Sequence, residues 1–406
     1  MKDLERFLRY IKINTTSDPN SNTHPSSEKQ KILGKLLVEE LHSLGVNNAY
    51  MDKYGYVYAS LASNLDTLVP TIGFIAHMDT SSDMSGESIN PQIITNYNGE
   101  DISLNDEVKM EVSQFPFLKE LQGRTLITTD GTTLLGADDK AGIAEIMTAI
   151  ESIQEQNIKH GELHFAFTPD EEIGEGTMFF DLETFKCDFA YTVDGGKEGI
   201  INYENFNAAS CTVTFKGVNI HPGSAKNKML NSILIANEFQ QLLPTFLNPM
   251  YTEGYEGFNH LNEINGNVEK TIAHYIIRNH DFKKFNEQKE QFKNIAKFLN
   301  NKYQKEVCLV NIKDSYYNMY EHIQKHMNII EIAKKATELA KVEYGVEPIR
   351  GGTDGAMLTY KGLMCPNLGT GGYNFHGRYE LISLEGIEKS VEIILNIIKI
   401  VANNKR

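Results

Sequence analysis

A histidine and an aspartate separated by one residue carry the first chemical signal in the sequence. His77 and Asp79 directly follow the apolar run 71–76, which predicts a buried strand. In an extended chain, residues two apart face the same side, so the imidazole and the carboxylate can point together from the strand end. A carboxylate often orients an imidazole that binds a metal ion. Taken alone, however, the pair is more typical of a structural histidine beside an aspartate that caps a turn.

More acidic residues lie at the ends of other predicted elements. Asp138 and Asp139 precede a predicted helix, where one aspartate would be enough to cap it. Glu171 and Glu172 follow one predicted strand, and Asp194 follows another. Open α/β sheets place their ligands at the carboxyl ends of strands, so we expect these side chains to gather there. Gathered carboxylates repel each other unless a cation lies between them, which favours a metal site over solvated loop acids.

The ligand types indicate which metal ions such a site would hold. His376 lies in a glycine-rich loop and supplies a second imidazole. Histidine with aspartate and glutamate, without cysteine, suits zinc, manganese or cobalt. Two histidines and three carboxylates can hold two ions if one carboxylate bridges them. Two ions would lower the pKa of a shared water and polarise a carbonyl, and a further unligated carboxylate would then act as general base.

The elements that must position these residues predict two kinds of structure. Up to about Asn205, strand patterns alternate with helical patterns, which is typical of an α/β fold with a largely parallel sheet. From there to about Tyr320, strands with one exposed face alternate with helices and predict a smaller α+β insert. After about Tyr320, the alternation of strand and helical patterns that is typical of an α/β fold returns. We therefore predict a catalytic domain made of 1–206 and 319–406, interrupted by an inserted lid domain at 207–318.

Hydrophobic periodicity sets the predicted bounds of these elements. Apolar residues three and four positions apart predict helices, and short alternating or continuous apolar runs predict strands. The predicted helices cover 4–11, 28–44, 141–153, 230–243, 282–303, 330–340 and the residues from 384 onward, and the predicted strands cover 56–61, 71–76, 163–168, 189–193, 209–215, 271–278 and 306–312.

Composition and charge exclude several classes of protein. Of the 406 residues, 41% are hydrophobic and 23% are charged, which is typical of a globular protein with a sizeable core. The formal net charge of −15 argues against nucleic acid as a partner. The chain has no apolar stretch long enough to span a bilayer and no recognisable secretory signal. Four widely spaced cysteines favour reduced thiols, and we expect a cytoplasmic protein that does not bind membranes.

The residues described above, in their order along the chain, resemble a known family of enzymes. This is the family of two-zinc exopeptidases, which also contains aminoacylases and bacterial carboxypeptidases. The resemblance implies a zinc-peptidase-like catalytic domain with a mixed, largely parallel sheet, interrupted by a smaller α+β lid domain. It also implies an aminopeptidase acting on short peptides, chiefly tripeptides. The similarity covers essentially the whole chain and is carried by His77–Asp79, Asp138–Asp139, Glu171–Glu172, Asp194 and His376 and by the segments 168–172, 191–196, 203–209 and 351–355.

The resemblance also implies a role for each of these residues. Asp79 would orient and polarise His77, and Glu171 would be the general base that takes a proton from the attacking water and passes it to the leaving amine. The Asp138–Asp139 peptide bond would be cis. Two zinc ions would be bound, one by His77, Asp138 and Asp194 and the other by Asp138, Glu172 and His376.

Three basic residues are candidates for binding the substrate. His221 resembles the lid histidine of the family, which reaches the tetrahedral oxyanion on closure, in some relatives from a partner subunit. Arg278 resembles the lid arginine that holds a substrate carboxylate, a task that suits the guanidinium fork. Arg350 is a second cationic candidate. Without the resemblance, His221 would be an ordinary loop histidine and the arginines would be surface ion-pair partners. A homodimer is compatible with this interpretation.

Other functions share the same residues. A related two-zinc carboxypeptidase or an N-acyl amino-acid deacylase would use the same metal chemistry on a different substrate. A peptide-binding protein that carries metal without catalysis and a two-metal phosphoesterase are further alternatives. The choice among zinc, cobalt and manganese depends largely on which metal is available to the protein.

Overall fold

The computed structural model describes residues 3–404 of the chain, which form two compact units. The larger unit contains the chain up to Tyr203, Glu321–Glu347 and the residues from Thr353 onward. The inserted unit contains Glu204–Tyr320 and Pro348–Gly352. The short segment Pro348–Gly352 thus belongs to the inserted unit, although it lies beyond the predicted range of the insert.

The predicted helices and strands are present, with ends that differ from the predicted ones by a few residues, and they are accompanied by further strands and by two short helices that were not predicted, Tyr320–Ile323 and Asp354–Tyr360. The helices are α1 Asp3–Ile11, α2 Gln30–Ser43, α3 Ala137–Gln156, α4 Ser232–Leu242, α5 Phe282–Tyr303, α6 Tyr320–Ile323, α7 Asn328–Leu339, α8 Asp354–Tyr360 and α9 Leu384–Ala402. The strands are β1 Tyr50–Met51, β2 Val57–Leu61, β3 Ile72–His77, β4 Gln92–Ile94, β5 Ile102–Ser103, β6 Lys109–Met110, β7 Leu126–Thr128, β8 Leu163–Thr168, β9 Phe189–Gly195, β10 Ile200–Asn202, β11 Asn207–Lys216, β12 Phe258–Gly266, β13 Lys270–Asn279, β14 Cys308–Tyr316, β15 Gly345–Val346, β16 Asn367–Gly369, β17 Gly372–Tyr373 and β18 Leu381–Ser383.

A mixed sheet forms the centre of the larger unit, with the strand order β1-β2-β8-β3-β9-β16-β10-β15. β3 pairs in parallel with β8 and β9, and β9 pairs in parallel with β16. The pairs β1–β2, β2–β8 and β10–β16 are antiparallel. The predicted mixed sheet is therefore confirmed, and its parallel centre brings the carboxyl ends of β3, β8 and β9 to one edge, where α/β proteins bind ligands.

The strand β3 is buried along its whole length because the sheet is covered by helices. The helix α3 contacts both β3 and β9 and also packs against α1 and α9. Gly142 of α3 lies so close to β9 that a Cβ atom there would be 1.8 Å from the carbonyl oxygen of Val193. Only glycine permits this approach, which holds the start of α3 at the ends of the parallel strands.

A second, smaller sheet in the larger unit is not predicted from the sequence. Its order is β17-β18-β7-β4, and β7 lies antiparallel to β18 with Ile127 opposite Ile382. These strands are two or three residues long, too short to show a periodic pattern. The sheet joins the segment before α3 to the loop between β17 and β18, which carries His376.

The inserted unit is an antiparallel sheet with the order β12-β13-β11-β14. α4 and α5 pack against it, and their buried side chains form a core with alternate residues of the strands. Val213 shows the register, since it lies opposite Ala273 on β13 and Val310 on β14. The α+β character of the insert agrees with the prediction, but β12 was missed because most of its residues are polar and exposed.

Two further expectations concern the cysteines and the membrane. All four cysteines carry free thiols, and three of them are buried. Within residues 3–404, no helix has the length and apolar character needed to cross a lipid bilayer.

Candidate metal centre

Asp138 and Asp194 meet His77 at the end of β3. The Nε2 atom of His77 lies 2.8 Å from Oδ1 of Asp138 and 3.5 Å from Oδ1 of Asp194. Asp194 belongs to β9, which runs parallel to β3, and Asp138 lies at the start of α3. The three ligand atoms lie within 4.8 Å of one another, so these residues could hold one metal ion.

A second group of residues shares Asp138 with the first. The Nε2 atom of His376 lies 3.2 Å from Oδ2 of Asp138 and 3.0 Å from Oε2 of Glu172. These ligand atoms also lie within 4.8 Å of one another. Asp138 therefore faces one imidazole with each of its two oxygens, which is the geometry that a bridging carboxylate requires. Glu171 belongs to neither group.

The charges of the centre explain why it needs a cation. Burial alone would lower the pKa of His77, but the carboxylates of Asp194 and Asp138 outweigh burial and raise this pKa well above its usual range. Hydrogen bonds with Asp138 and Glu172 raise the pKa of His376 to about 11. Burial and the charge on Asp138 raise the pKa of Glu172 to about 7. In the metal-free protein, protons bound to these side chains must offset the negative charge of the carboxylates.

The donor set fits divalent metal ions. Metal ligands must be deprotonated, so cations would replace these protons on binding. The Oε1 atom of Glu172 is buried and has no hydrogen-bond partner among the described residues, although most buried polar atoms are satisfied. Imidazole and carboxylate together are ligands that zinc, manganese and cobalt accept.

The two adjacent aspartates in the non-helical first turn of α3 have different roles. The Asp138–Asp139 peptide bond is cis, as the family resemblance implies. Oδ1 of Asp139 accepts a hydrogen bond from the N–H of Gly142 and so caps the helix, while Oδ2 accepts one from the N–H of His77. The capping interpretation thus applies to Asp139, and the carboxylate of Asp138 faces the two imidazoles.

Asp79 holds the backbone that carries the two glutamates. Its carboxylate is fully buried and accepts hydrogen bonds from the N–H groups of Glu171, at 3.0 Å, and Glu172, at 3.1 Å. The Nδ1 atom of His77 lies 3.1 Å from the backbone carbonyl oxygen of Asp79 and 3.4 Å from its carboxylate. Asp79 therefore contacts His77 through its main chain as well as its side chain.

Glu380, which sequence reasoning missed, clamps the turn that carries Asp138. Its buried carboxylate accepts hydrogen bonds from the N–H groups of Leu135, Gly136 and Asp138 at 2.6, 2.9 and 3.0 Å. Glu380 follows His376 by four residues, so the clamp ties the loop of one imidazole to the shared aspartate. Its partners are backbone groups 242 to 245 residues away, so no local pattern marks it.

Two further buried charges near the centre were also missed. Asp354 accepts a hydrogen bond from Oγ1 of Thr168 at 2.7 Å, and burial raises its pKa to about 7. Lys140 donates from Nζ to the carbonyl oxygen of Ile13 at 2.7 Å, and burial lowers its pKa to about 7. Asp354 lies inside the motif segment 351–355, and Lys140 directly follows Asp139, so in each case the neighbouring motif residues are a sequence signal.

The predicted substrate-binding residues lie in the inserted unit. His221 is exposed, and its Nδ1 atom accepts a hydrogen bond from the N–H of Gly223 at 3.2 Å. Arg278 of β13 donates from Nη1 to the carbonyl oxygens of Ala209, at 3.2 Å, and Ile277, at 3.0 Å. Both side chains therefore have partners within their own unit.

Arg350 has a clear structural task in the inserted unit. Its Nη1 atom donates to the carbonyl oxygens of Gly254 and Glu256, both at 2.8 Å, and its Nη2 atom donates to Oγ1 of Thr252 at 3.1 Å. The guanidinium also lies over the ring of Phe206, 5.1 Å from its centroid. Arg350 thus holds the segment 252–256 in place.

Comparison with known proteins identifies the family of the chain. It is 55% identical over 402 residues to a peptidase T of Caldanaerobacter subterraneus subsp. tengcongensis, and the match covers 98% of each chain. A peptidase T of Halothermothrix orenii is also 55% identical, over 404 residues and 99% of each chain. The chain belongs to the peptidase T family. This membership confirms the resemblance found in the sequence and the predicted class of enzyme, a metal-dependent aminopeptidase.

Solved structures confirm the fold of this peptidase T chain. An aminopeptidase PepT from Bacillus cereus matches with a TM-score of 0.78 and 23% identity over 99% of this chain and 98% of its own. A tripeptidase from Staphylococcus aureus matches with a TM-score of 0.79 and 21% identity over the same shares of the two chains. A Bacillus subtilis protein described as a dinuclear metal-binding peptidase of the M20 family matches with a TM-score of 0.66 and 13% identity over 98% and 97%.

Two family models match parts of the peptidase T chain. A model described as a peptidase dimerisation domain matches residues 203–307, which is most of the insert. A model described as M42 glutamyl aminopeptidase matches residues 120–225, which include Asp138, the glutamate pair and Asp194.

We predict that the Glu380 clamp supports metal binding. Glu380→Gln replaces one accepting oxygen with an N–H donor opposite backbone donors, so the turn of Asp138 should loosen and metal affinity should fall about tenfold or more. Calorimetric titration of the metal-free protein with Zn²⁺ measures this. The control is Glu385→Gln, because Glu385 also accepts from a backbone N–H, that of Thr125. Equal affinities for Glu380→Gln and the wild type would show that the clamp is only structural.

Proposed function

We propose that this protein removes the N-terminal residue of tripeptides with the help of two zinc ions. The observation that carries the proposal is the sharing of Asp138, whose two carboxylate oxygens face the two imidazoles at 2.8 and 3.2 Å. The peptidase T relatives support the reaction, and the structural neighbour described as a tripeptidase supports the length of the substrate.

In this proposal the metal ligands are the two groups that converge on Asp138. When bound, the two ions would polarise the scissile carbonyl and lower the pKa of a water molecule. Zinc suits a site of imidazoles and carboxylates, and manganese or cobalt could occupy the same ligands. One zinc ion is assigned to His77, Asp138 and Asp194, and the other is assigned to Asp138, Glu172 and His376.

Glu171 is the proposed general base. Burial and the charge on Asp194 raise the pKa of Glu171 well above its usual range, so its carboxylate can hold a proton between two steps. It accepts the proton of the attacking water and donates it to the amine that leaves. Asp79 supports this role because its carboxylate fixes the N–H of Glu171 and remains beside the ring of His77.

Glu171→Gln should lower kcat for a tripeptide about 10² to 10⁴-fold, because the amide cannot take up the proton. The metal content should stay unchanged, since Glu171 belongs to neither ligand group. Steady-state hydrolysis and metal analysis of the same samples measure both quantities. Glu162→Gln is the control, since Glu162 is exposed. Unchanged turnover in Glu171→Gln would exclude this base.

A substrate panel separates the aminopeptidase from its alternatives. We expect cleavage of a tripeptide, slower cleavage of the matching dipeptide and no cleavage of the N-acetylated tripeptide, because an aminopeptidase requires a free N-terminal amine. Preference for the acetylated peptide would instead indicate a deacylase or a carboxypeptidase. Complete inactivity of the metal-loaded protein would favour a peptide-binding protein, and cleavage of phosphate esters alone would indicate a phosphoesterase.

Basic residues of the inserted unit are the proposed contacts for the substrate. Arg278 is proposed to bind the C-terminal carboxylate, because the two hydrogen bonds described for it use Nη1 and leave the rest of its fork to a ligand. His221 is proposed to donate to the oxyanion, and its exposure makes it accessible. Arg350 remains a second candidate, although its guanidinium holds backbone carbonyls.

Arg278→Gln should raise the KM for a tripeptide about 10- to 100-fold, because a charge-assisted contact is lost, and should change kcat less. The KM for the same tripeptide with a C-terminal amide should change little, because that substrate lacks the carboxylate. Lys270→Gln on the same strand is the control, since Lys270 is exposed. An equal rise in KM for both peptides would contradict the assignment.

We also propose that the protein is a homodimer that associates through the inserted unit. The match of residues 203–307 to a peptidase dimerisation domain supports this. The inserted unit exposes large apolar side chains, including Leu234 at 63%, Phe246 at 75% and Met250 at 81%. The pair Leu234→Glu and Met250→Glu should therefore shift the sedimenting mass from dimer to monomer, whereas Leu68→Glu in the larger unit should not. A monomeric wild type would refute the proposal.

A further inference from the structure

A third group of histidine and carboxylate ligands lies in the larger unit, separate from the two groups of the metal centre. It consists of His24, Asp170 and Glu175, whose ligand atoms lie within 4.8 Å of one another. The Nδ1 atom of His24 lies 3.3 Å from Oδ2 of Asp170 and 3.8 Å from Oε2 of Glu175. None of these residues carries a role in the proposed reaction.

The imidazole of His24 is buried without a hydrogen-bond partner. Its side chain is 6% exposed, and neither ring nitrogen makes a hydrogen bond to the described residues. The ring is stacked on Tyr56 with centroids 5.6 Å apart and meets the edge of Phe179 at 5.0 Å. These aromatic contacts fix the ring with Nδ1 towards the two carboxylates. Most buried polar groups have a partner, so a ligand for this nitrogen is expected.

The carboxylate of Asp170 has room for one more partner. Oδ1 accepts hydrogen bonds from Oγ of Ser26 and from Nε2 of Gln30 at 2.6 Å, whereas Oδ2 accepts one from the N–H of Ser26 at 2.7 Å. A carboxylate offers about four acceptor positions, so one remains on Oδ2. Oδ2 is the oxygen that faces Nδ1 of His24.

We propose that His24, Asp170 and Glu175 bind a third divalent cation of the zinc or manganese type. Ligand atoms at about 2.0–2.2 Å from one ion lie roughly 3–4 Å from each other, and the two distances from Nδ1 fall in this range. Two carboxylates and a neutral imidazole match the charge of a divalent ion. The side chain of Glu175 is 41% exposed, so the ion can enter from solvent and water can complete its coordination.

The cation would fix the turn that follows β8. Asp170 has a left-handed backbone with φ of 58°, and the N–H of Glu175 donates to its carbonyl oxygen at 2.9 Å. Glu171 and Glu172 lie between these two ligands in the sequence. The ion would therefore tie both ends of this turn to the segment of His24 and act as a structural ion beside the reaction centre.

Metal counting tests the proposal without reference to activity. Metal-free protein is dialysed against Zn²⁺, and in parallel against Mn²⁺, and the bound metal per chain is measured by mass spectrometry. We expect three ions per chain in the wild type, two in His24→Ala and two in Glu175→Gln. His326→Ala is the matched control and should keep three, since His326 is exposed. If His24→Ala fails to fold, the number of ions bound by Glu175→Gln tests the proposal without it.

Two results would overturn the proposal. A wild type that binds two ions per chain, with both retained in His24→Ala and Glu175→Gln, would show that the group at His24 binds no metal. The same number of ions in Glu175→Gln, His24→Ala and the wild type would place any third ion elsewhere. Both results would leave the two-metal reaction intact, because this site and the metal centre have no ligand in common.

Discussion

Repulsion among carboxylates at the ends of β3, β8 and β9 is the constraint on which the rest of this structure depends. Parallel pairing brings these ends together, and burial strengthens the repulsion by removing water. The fold does not separate the charges. It arranges them around two imidazoles, so that Asp138 lies between His77 and His376. Metal ions bound at this place would neutralise the cluster and so remove the repulsion.

A second group of carboxylates keeps the first one in position. Asp79, Asp139 and Glu380 each accept hydrogen bonds from backbone N–H groups of segments that carry proposed metal ligands or the proposed base. Hydrogen bonds to a charged acceptor are stronger than neutral ones and fix the direction of the chain. The acidic residues of the candidate metal centre therefore include some that face the imidazoles, such as Asp138, and others that hold the backbone, such as Glu380.

The sequence predicts the elements that carry a clear apolar pattern, and it misses those that are very short, largely polar or defined by distant partners. β3 and β8 are continuous apolar runs followed by acids, so both the strands and their ligand ends could be predicted. β12 is largely polar and β7 is three residues long, so neither shows a period. Glu380 and Arg350 bind backbone groups that are remote in sequence, and no local pattern records such contacts.

Three consecutive acids after β8 show why residue order alone does not assign roles. The left-handed backbone of Asp170 turns its carboxylate towards Ser26 and Gln30. Asp79 then fixes the next two N–H groups, so that Glu172 meets His376 while Glu171 stays outside the metal-ligand groups. The role of each acid therefore depends on the backbone conformation at its own position. A substitution that straightened this turn would change the contacts of all three acids, even though all three carboxylates would still be present.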